Sequence, residues 1–210
     1  IKTTGDITAL NTLNAGKIIA EGNVSILDLE NQNELVINKL LTTNNLTNTG
    51  ALSTGEGIIS NGNAINHGEL KTNGSFVING NLNNYNILNV GNILSTRDLL
   101  NYGNLKAVEK LLTRGTTFYN QGEILASNLD VDNTNIQNIN KITVIENAKL
   151  KGNNINNQGH LSGTNIDLIT SALTNSSQII ADGIITANNT NLNNTGYIGS
   201  NQKIVLNGSN

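Results

Sequence analysis

The chain has no cysteine, proline, methionine or tryptophan. Without cysteine there are no disulfides and no cysteine-ligated metals. That absence suits a chain that must cross a membrane pore unfolded, where a disulfide would jam transport. Aromatic residues make up 3% of the 210 positions, so a core built on large rings is excluded. Charge is also scarce. Twelve Lys and Arg stand against 15 Asp and Glu, a net of −3. Arginine occurs only at Arg97 and Arg114 and lysines are scattered, so there is no basic patch and nucleic-acid binding is not expected. No stretch reaches the apolar length of a transmembrane helix and no signal peptide is read, so membrane insertion is not expected.

What is present is aliphatic and amide-rich. The hydrophobic fraction is 37%, mostly Ile, Leu, Val and Ala, which is too much for a disordered polar chain. Asn makes up about a fifth of the chain, far above ordinary usage. Its side chain competes for nearby backbone groups and so disfavours helix interiors. Small aliphatics with Asn, Gly and Thr describe strands joined by tight turns.

An internal repeat decides the fold. In Leu46-Thr-Asn-Thr-Gly-Ala-Leu52 the order is apolar, any, Asn, any, Gly, any, apolar. The Asn returns every 17–19 residues at Asn14, Asn31, Asn48, Asn66, Asn84, Asn101, Asn120, Asn138, Asn157, Asn175 and Asn194. Four residues later comes Ile or Leu each time, from Ile18 to Ile198. Two residues earlier the position is large and apolar except at Thr12 and Ala64. A second apolar pair follows about ten residues after the Asn, as at Val24 and Ile26, Phe76 and Ile78, Leu129 and Val131, Ile166 and Leu168, Ile204 and Leu206. Both pairs alternate with period two, the strand signal. The unit is too short for a leucine-rich repeat.

These repeats predict an all-β parallel β-helix solenoid of about eleven coils of 17–19 residues. Stacked at about 4.8 Å, eleven coils give a rod of roughly 50 Å. A lone coil cannot satisfy its ladder hydrogen bonds or close a core, so stability belongs to the array. Residues 1–210 read as one shaft segment. The pattern runs into both ends, so a piece of a longer chain is expected, with terminal coils that fray or associate. The Asn column is expected to point inward and to pair amide with amide, coil upon coil. Two residues after it stand Gly16, Asn33, Gly50, Gly68, Asn86, Gly103, Gly122, Asn140, Gly159, Ser177 and Gly196. Gly and Asn tolerate positive φ, so a left-handed corner is expected there, with Ser177 the most strained.

The unit L-x-N-x-G-x-[IL] at this period resembles the haemagglutinin repeats of the filamentous haemagglutinin family, the large exoproteins of two-partner secretion. The resemblance spans the chain from about Ile7 to Leu206. It implies a right-handed β-helix, export through an outer-membrane transporter, and display at the bacterial cell surface as a fibre. For the whole protein it implies adhesion to a host or neighbouring-cell receptor or glycan, or delivery of a contact-dependent inhibition toxin. It brings no catalytic residues, and no Arg-Gly-Asp tripeptide occurs.

Some β-helices cleave polysaccharides, so a glycan-active enzyme is the other class. It needs carboxylates or bases converging from adjacent coils. Glu123, Lys141 and His160 share an offset, as do Lys17 and Glu34, and these read as exposed cross-coil ion pairs. His67 and Glu69 meet only Tyr85 and Ile87 in the next coil. Asp130 and Asp132 alternate with Leu129 and Val131 and read as facing solvent. No calcium-binding Gly-Gly-x-Gly-x-Asp run and no Thr-x-Thr column occurs, so neither metal nor cofactor is expected. One surface feature remains. His67, Tyr85 and Tyr102 follow the ladder Asn in three consecutive coils, and Tyr119 precedes it in the next. They read either as a binding stripe for sugar rings or a partner, or as cross-coil stacking that stiffens a turn.

Overall fold

The computed structural model describes residues 1–208, with the backbone alone at 189 and 190. Twenty-five strands form one continuous sheet, and no helix occurs among the described residues. The pairings are parallel, and away from the two ends each strand lies between its counterparts one coil below and one above. Leu70, for example, pairs with Leu52 on one side and with Leu88 on the other. The predicted solenoid of about eleven turns is therefore the fold.

Three strands make a coil in the middle of the rod, as in Glu69–Thr72, Ser75–Ile78 and Leu82–Asn84. Elsewhere the second and third merge into one bent strand, as in Val24–Asn31 and Asn147–Asn157. Asn104–Asn120 runs through all three faces, pairing in turn with Ile87–Val90, Ile93–Thr96 and Leu99–Asn101. Such unbroken ladders need every backbone N–H, which the absence of proline provides.

Alternation places the core. In one coil Leu82, Asn84, Leu88, Val90, Leu94 and Thr96 all point inward and are buried. Each coil thus contributes aliphatics, one ladder Asn and, in many coils, one hydroxyl. The only two phenylalanines, Phe76 and Phe118, are fully buried. The inward hydroxyls fasten the corner between the second and third strands of a coil. Thr43, Thr96 and Thr170 each donate to the carbonyl two residues on, at Asn45, Asp98 and Ala172, over 2.8, 3.1 and 2.9 Å. At the last coil Ile204 and Leu206 keep the register of Ile185 and Ala187 but are 41% and 49% exposed, because no described coil covers them.

The corner after each ladder Asn is not left-handed. Among the described residues the only positive φ, 157° at Gly57, lies near the extended region. Ser177 therefore carries no left-handed strain. Glycine is needed there for its missing side chain. A Cβ on Gly103 would run into the carbonyl oxygen of Asn86 in the coil beneath, and one on Gly122 into that of Gly103. The same holds at Gly50, Gly68, Gly159 and Gly196. Where the column does carry a side chain, at Asn33, Asn86, Asn140 and Ser177, the coil beneath offers a glycine: Gly16, Gly68, Gly122 and Gly159. Asn33 and Asn86 reach down, donating to the carbonyls of Ala15 and His67 at 3.2 and 3.3 Å.

Candidate functional site

Each ladder Asn ends a strand and turns its amide into the core at the first corner. The Nδ2 of every rung donates to the Oδ1 of the next, from Asn14 through Asn31, Asn48, Asn66, Asn84, Asn101, Asn120, Asn138, Asn157 and Asn175 to Asn194. These ten bonds of 2.7–2.9 Å run without a gap. In most rungs the Nδ2 also meets two carbonyls. For Asn101 these are Gly103 in its own coil at 3.0 Å and Glu123 in the next at 3.3 Å. A carbonyl only accepts, so the amide orientation is settled by chemistry. Ladder residues from Asn14 to Asn175 are buried, and Asn194 is exposed.

The aromatic residues meet on the outside of the same corner. His67 stacks on Tyr85 with centroids 4.4 Å apart and planes 7° from parallel. Tyr85 stacks on Tyr102 at 5.1 Å and 1°. Tyr119, which leaves the strand on the other side of its ladder Asn, leans on Tyr102 at 5.5 Å and 50°. Its hydroxyl donates to Gln121 Oε1 at 3.0 Å. All four residues singled out in the sequence therefore form one column. The ring faces are turned along the stack, toward one another, and ring edges are turned outward.

The charged candidates do not converge into a catalytic centre. Lys17 and Glu34 form the expected pair at 2.8 Å. Glu123, Lys141 and His160 are neighbours in register, but Glu123 and Lys141 form no ion pair. An exposed lysine gains little by closing on such a partner. His160 instead meets Gln178 Oε1 at 3.1 Å. Asp130 and Asp132 lie on the outer face as read but are not free in solvent. Lys110 and Arg114 hold Asp130 at 3.0 and 2.8 Å, and Lys151 holds Asp132 at 3.1 Å. Burial pushes the Asp130 carboxyl up, but the hydrogen bonds and charges of Arg114 and Lys110 together bring it below the ordinary carboxylate value. A general acid in glycan cleavage needs the opposite shift. Among the described residues no three His, Asp or Glu side chains gather to hold a metal.

The lowered Asp130 carboxyl makes a pH prediction. Its contribution to stability is fully present above about pH 4, the unfolded carboxylate range, and is lost as pH falls through the lower folded value. Asp130→Asn is therefore expected to cost less than about 1 kcal/mol at pH 7. It should also lose less stability than the parent chain between pH 5 and pH 2. Denaturant midpoints across that range test this, and equal acid losses in the two proteins would refute it.

Sequence reading missed a second amide column, on the outside, three residues before the ladder. Asn45 donates to Asp28 at 2.8 Å and Asn154 to Asn135 at 3.1 Å. Asn45 and Asn63 each accept a backbone N–H from the coil above, at 3.0 and 2.9 Å. Asp98 accepts those of Thr116 and Thr117 at 2.6 and 2.8 Å. The signal was present as Asn or Asp at that offset in most coils. No family model, no curated protein and no solved structure matches this chain.

Proposed function

We propose that the chain is a shaft segment of a secreted, surface-displayed bacterial adhesin, a rod that carries a distal tip toward a host or neighbouring-cell receptor or glycan. The supporting observation is the ladder of ten consecutive amide bonds. A device that repeats coil after coil sets length and stiffness, which is what a spacer needs. The repeat's resemblance to haemagglutinin repeats gives the class: two-partner secretion through an outer-membrane transporter, with a distal adhesive or contact-dependent inhibition region. A chain without cysteine suits that route.

The test uses bacteria producing the full-length protein. Antibody to this segment should label intact cells. Deleting residues 31–47, one whole 17-residue period, joins the Asn14 rung to Asn48 and should leave both labelling and adherence in place. Labelling that requires permeabilised cells would overturn surface display. A deletion variant that is displayed but no longer adheres would overturn the shaft role.

A further inference from the structure

We propose that the aromatic corner is a binding site for a neutral, linear glycan, gripped by phenol hydroxyls, ring edges and amides rather than by ring faces. The usual sugar platform is an open aromatic face, and this stack does not offer one in its middle. Tyr85 lies between His67 and Tyr102, within 7° of parallel to both. Tyr102 has Tyr119 against its other side. What faces water is the rim of the column, with Tyr85 and Tyr102 42% and 41% exposed.

The rim has a definite chemistry. The Tyr119 hydroxyl is engaged with Gln121. Those of Tyr85 and Tyr102 have no partner among the described residues, and each can donate and accept. They recur one coil apart, so the site is a row of hydroxyls along the rod. The Asn86 amide is exposed beside them with its Nδ2 turned to His67 O and its Oδ1 unused. Part-buried Ile65 and Leu100, in the column on the other side of the ladder, add apolar contact.

Charge narrows the ligand. Residues 65–68, 83–86, 100–103 and 119–122, which build this corner in four coils, contain no Asp, Glu, Lys or Arg. An anionic polymer is normally met by Arg or Lys forks and a cationic one by carboxylates, and neither is present. Free hydroxyls, amides and small aliphatics match an uncharged polyhydroxylated chain. A row without a deep pocket gains contacts rung by rung, so affinity should rise with ligand length. The stack fixes the rings beforehand, so little order is lost on binding. The inference needs only the exposed corner, and stands or falls apart from the shaft reading.

The experiment titrates the purified chain with cellohexaose and laminarihexaose by calorimetry and tyrosine NMR shifts. Cellotriose, polygalacturonate and chitosan serve as comparisons. One of the neutral hexasaccharides should bind, more tightly than the trisaccharide or either charged polymer. Tyr85→Phe with Tyr102→Phe keeps the stack and removes only the hydroxyls. This variant should melt like the parent and bind at least about tenfold more weakly. Failure of both hexasaccharides to saturate, a charged polymer binding better, or unchanged binding by the double variant would each overturn the proposal.

Discussion

Replacing Asn101 by alanine is expected to lower the unfolding free energy by at least about 2 kcal/mol, because two buried groups lose their partners at once. Asn84 Nδ2 loses the oxygen it meets at 2.8 Å, and Asn120 Oδ1 loses its donor, also at 2.8 Å. The Gly103 and Glu123 carbonyls lose a second donor. Water does not reach the gap, since Asn84, Asn101 and Asn120 are fully buried. Asn188→Ala is the matched control. Its side chain is exposed and accepts from Asn207 at 2.9 Å. Its loss should cost less than about 0.5 kcal/mol. Guanidinium midpoints with an unchanged slope would measure both. Equal shifts would mean that the buried column contributes nothing beyond what surface amides do.

Two glycine-to-alanine changes should move stability in opposite directions. Gly103→Ala puts a methyl group into the Asn86 carbonyl, which belongs to a corner held by the ladder and cannot turn aside. Such overpacking costs about 1–3 kcal/mol. Gly163 is buried on the inward side, in register with Ala181. There a Cβ would meet Val144 Cβ at 3.5 Å and the Val144 and Asn165 carbonyls at 3.4 and 3.6 Å, ordinary contacts. Gly163→Ala should therefore stabilise the chain by up to about 1 kcal/mol through the reduced freedom of the unfolded state. Thermal melts of the two single variants decide it. A destabilised Gly163→Ala would show that the space is not there, and a neutral Gly103→Ala would show that the coils can part.

The architecture was legible because the physics of stacking repeats itself. An inward position must be apolar or paired in every coil, so Leu99, Asn101 and Leu105 echo Leu82, Asn84 and Leu88. The ladder could be written down from spacing alone. The corner conformation could not, because glycine answers two different demands with the same letter. It permits positive φ and it removes a Cβ, and only the distance to the coil beneath distinguishes the two. The stripe was legible as proximity but not as orientation. Three rings at one offset had to be near one another, whereas their near-parallel planes and covered faces depend on rotamers that sequence does not carry. The outer Asn and Asp column went unread for a simpler reason. In a chain so rich in asparagine, an exposed one attracts no notice until its hydrogen bonds appear.

The ladder also gives the rod a sense of direction. Backbone carbonyls in neighbouring strands leave only a small net dipole. The ladder amides all point the same way, each NH2 toward the following coil. The column is a row of aligned dipoles of about 3.5 D each, if a side-chain amide is taken as the equal of a peptide unit. One rung cannot turn over alone, because it would set oxygen against oxygen on one side and NH2 against NH2 on the other. The column therefore obeys something like an ice rule, with the orientation of one rung dictating that of the next. Asparagine and aspartate differ here by more than a charge. The change Asn101→Asp would present only acceptors where the coil above needs a donor, and the single ordered column would become two shorter ones with a fault between them.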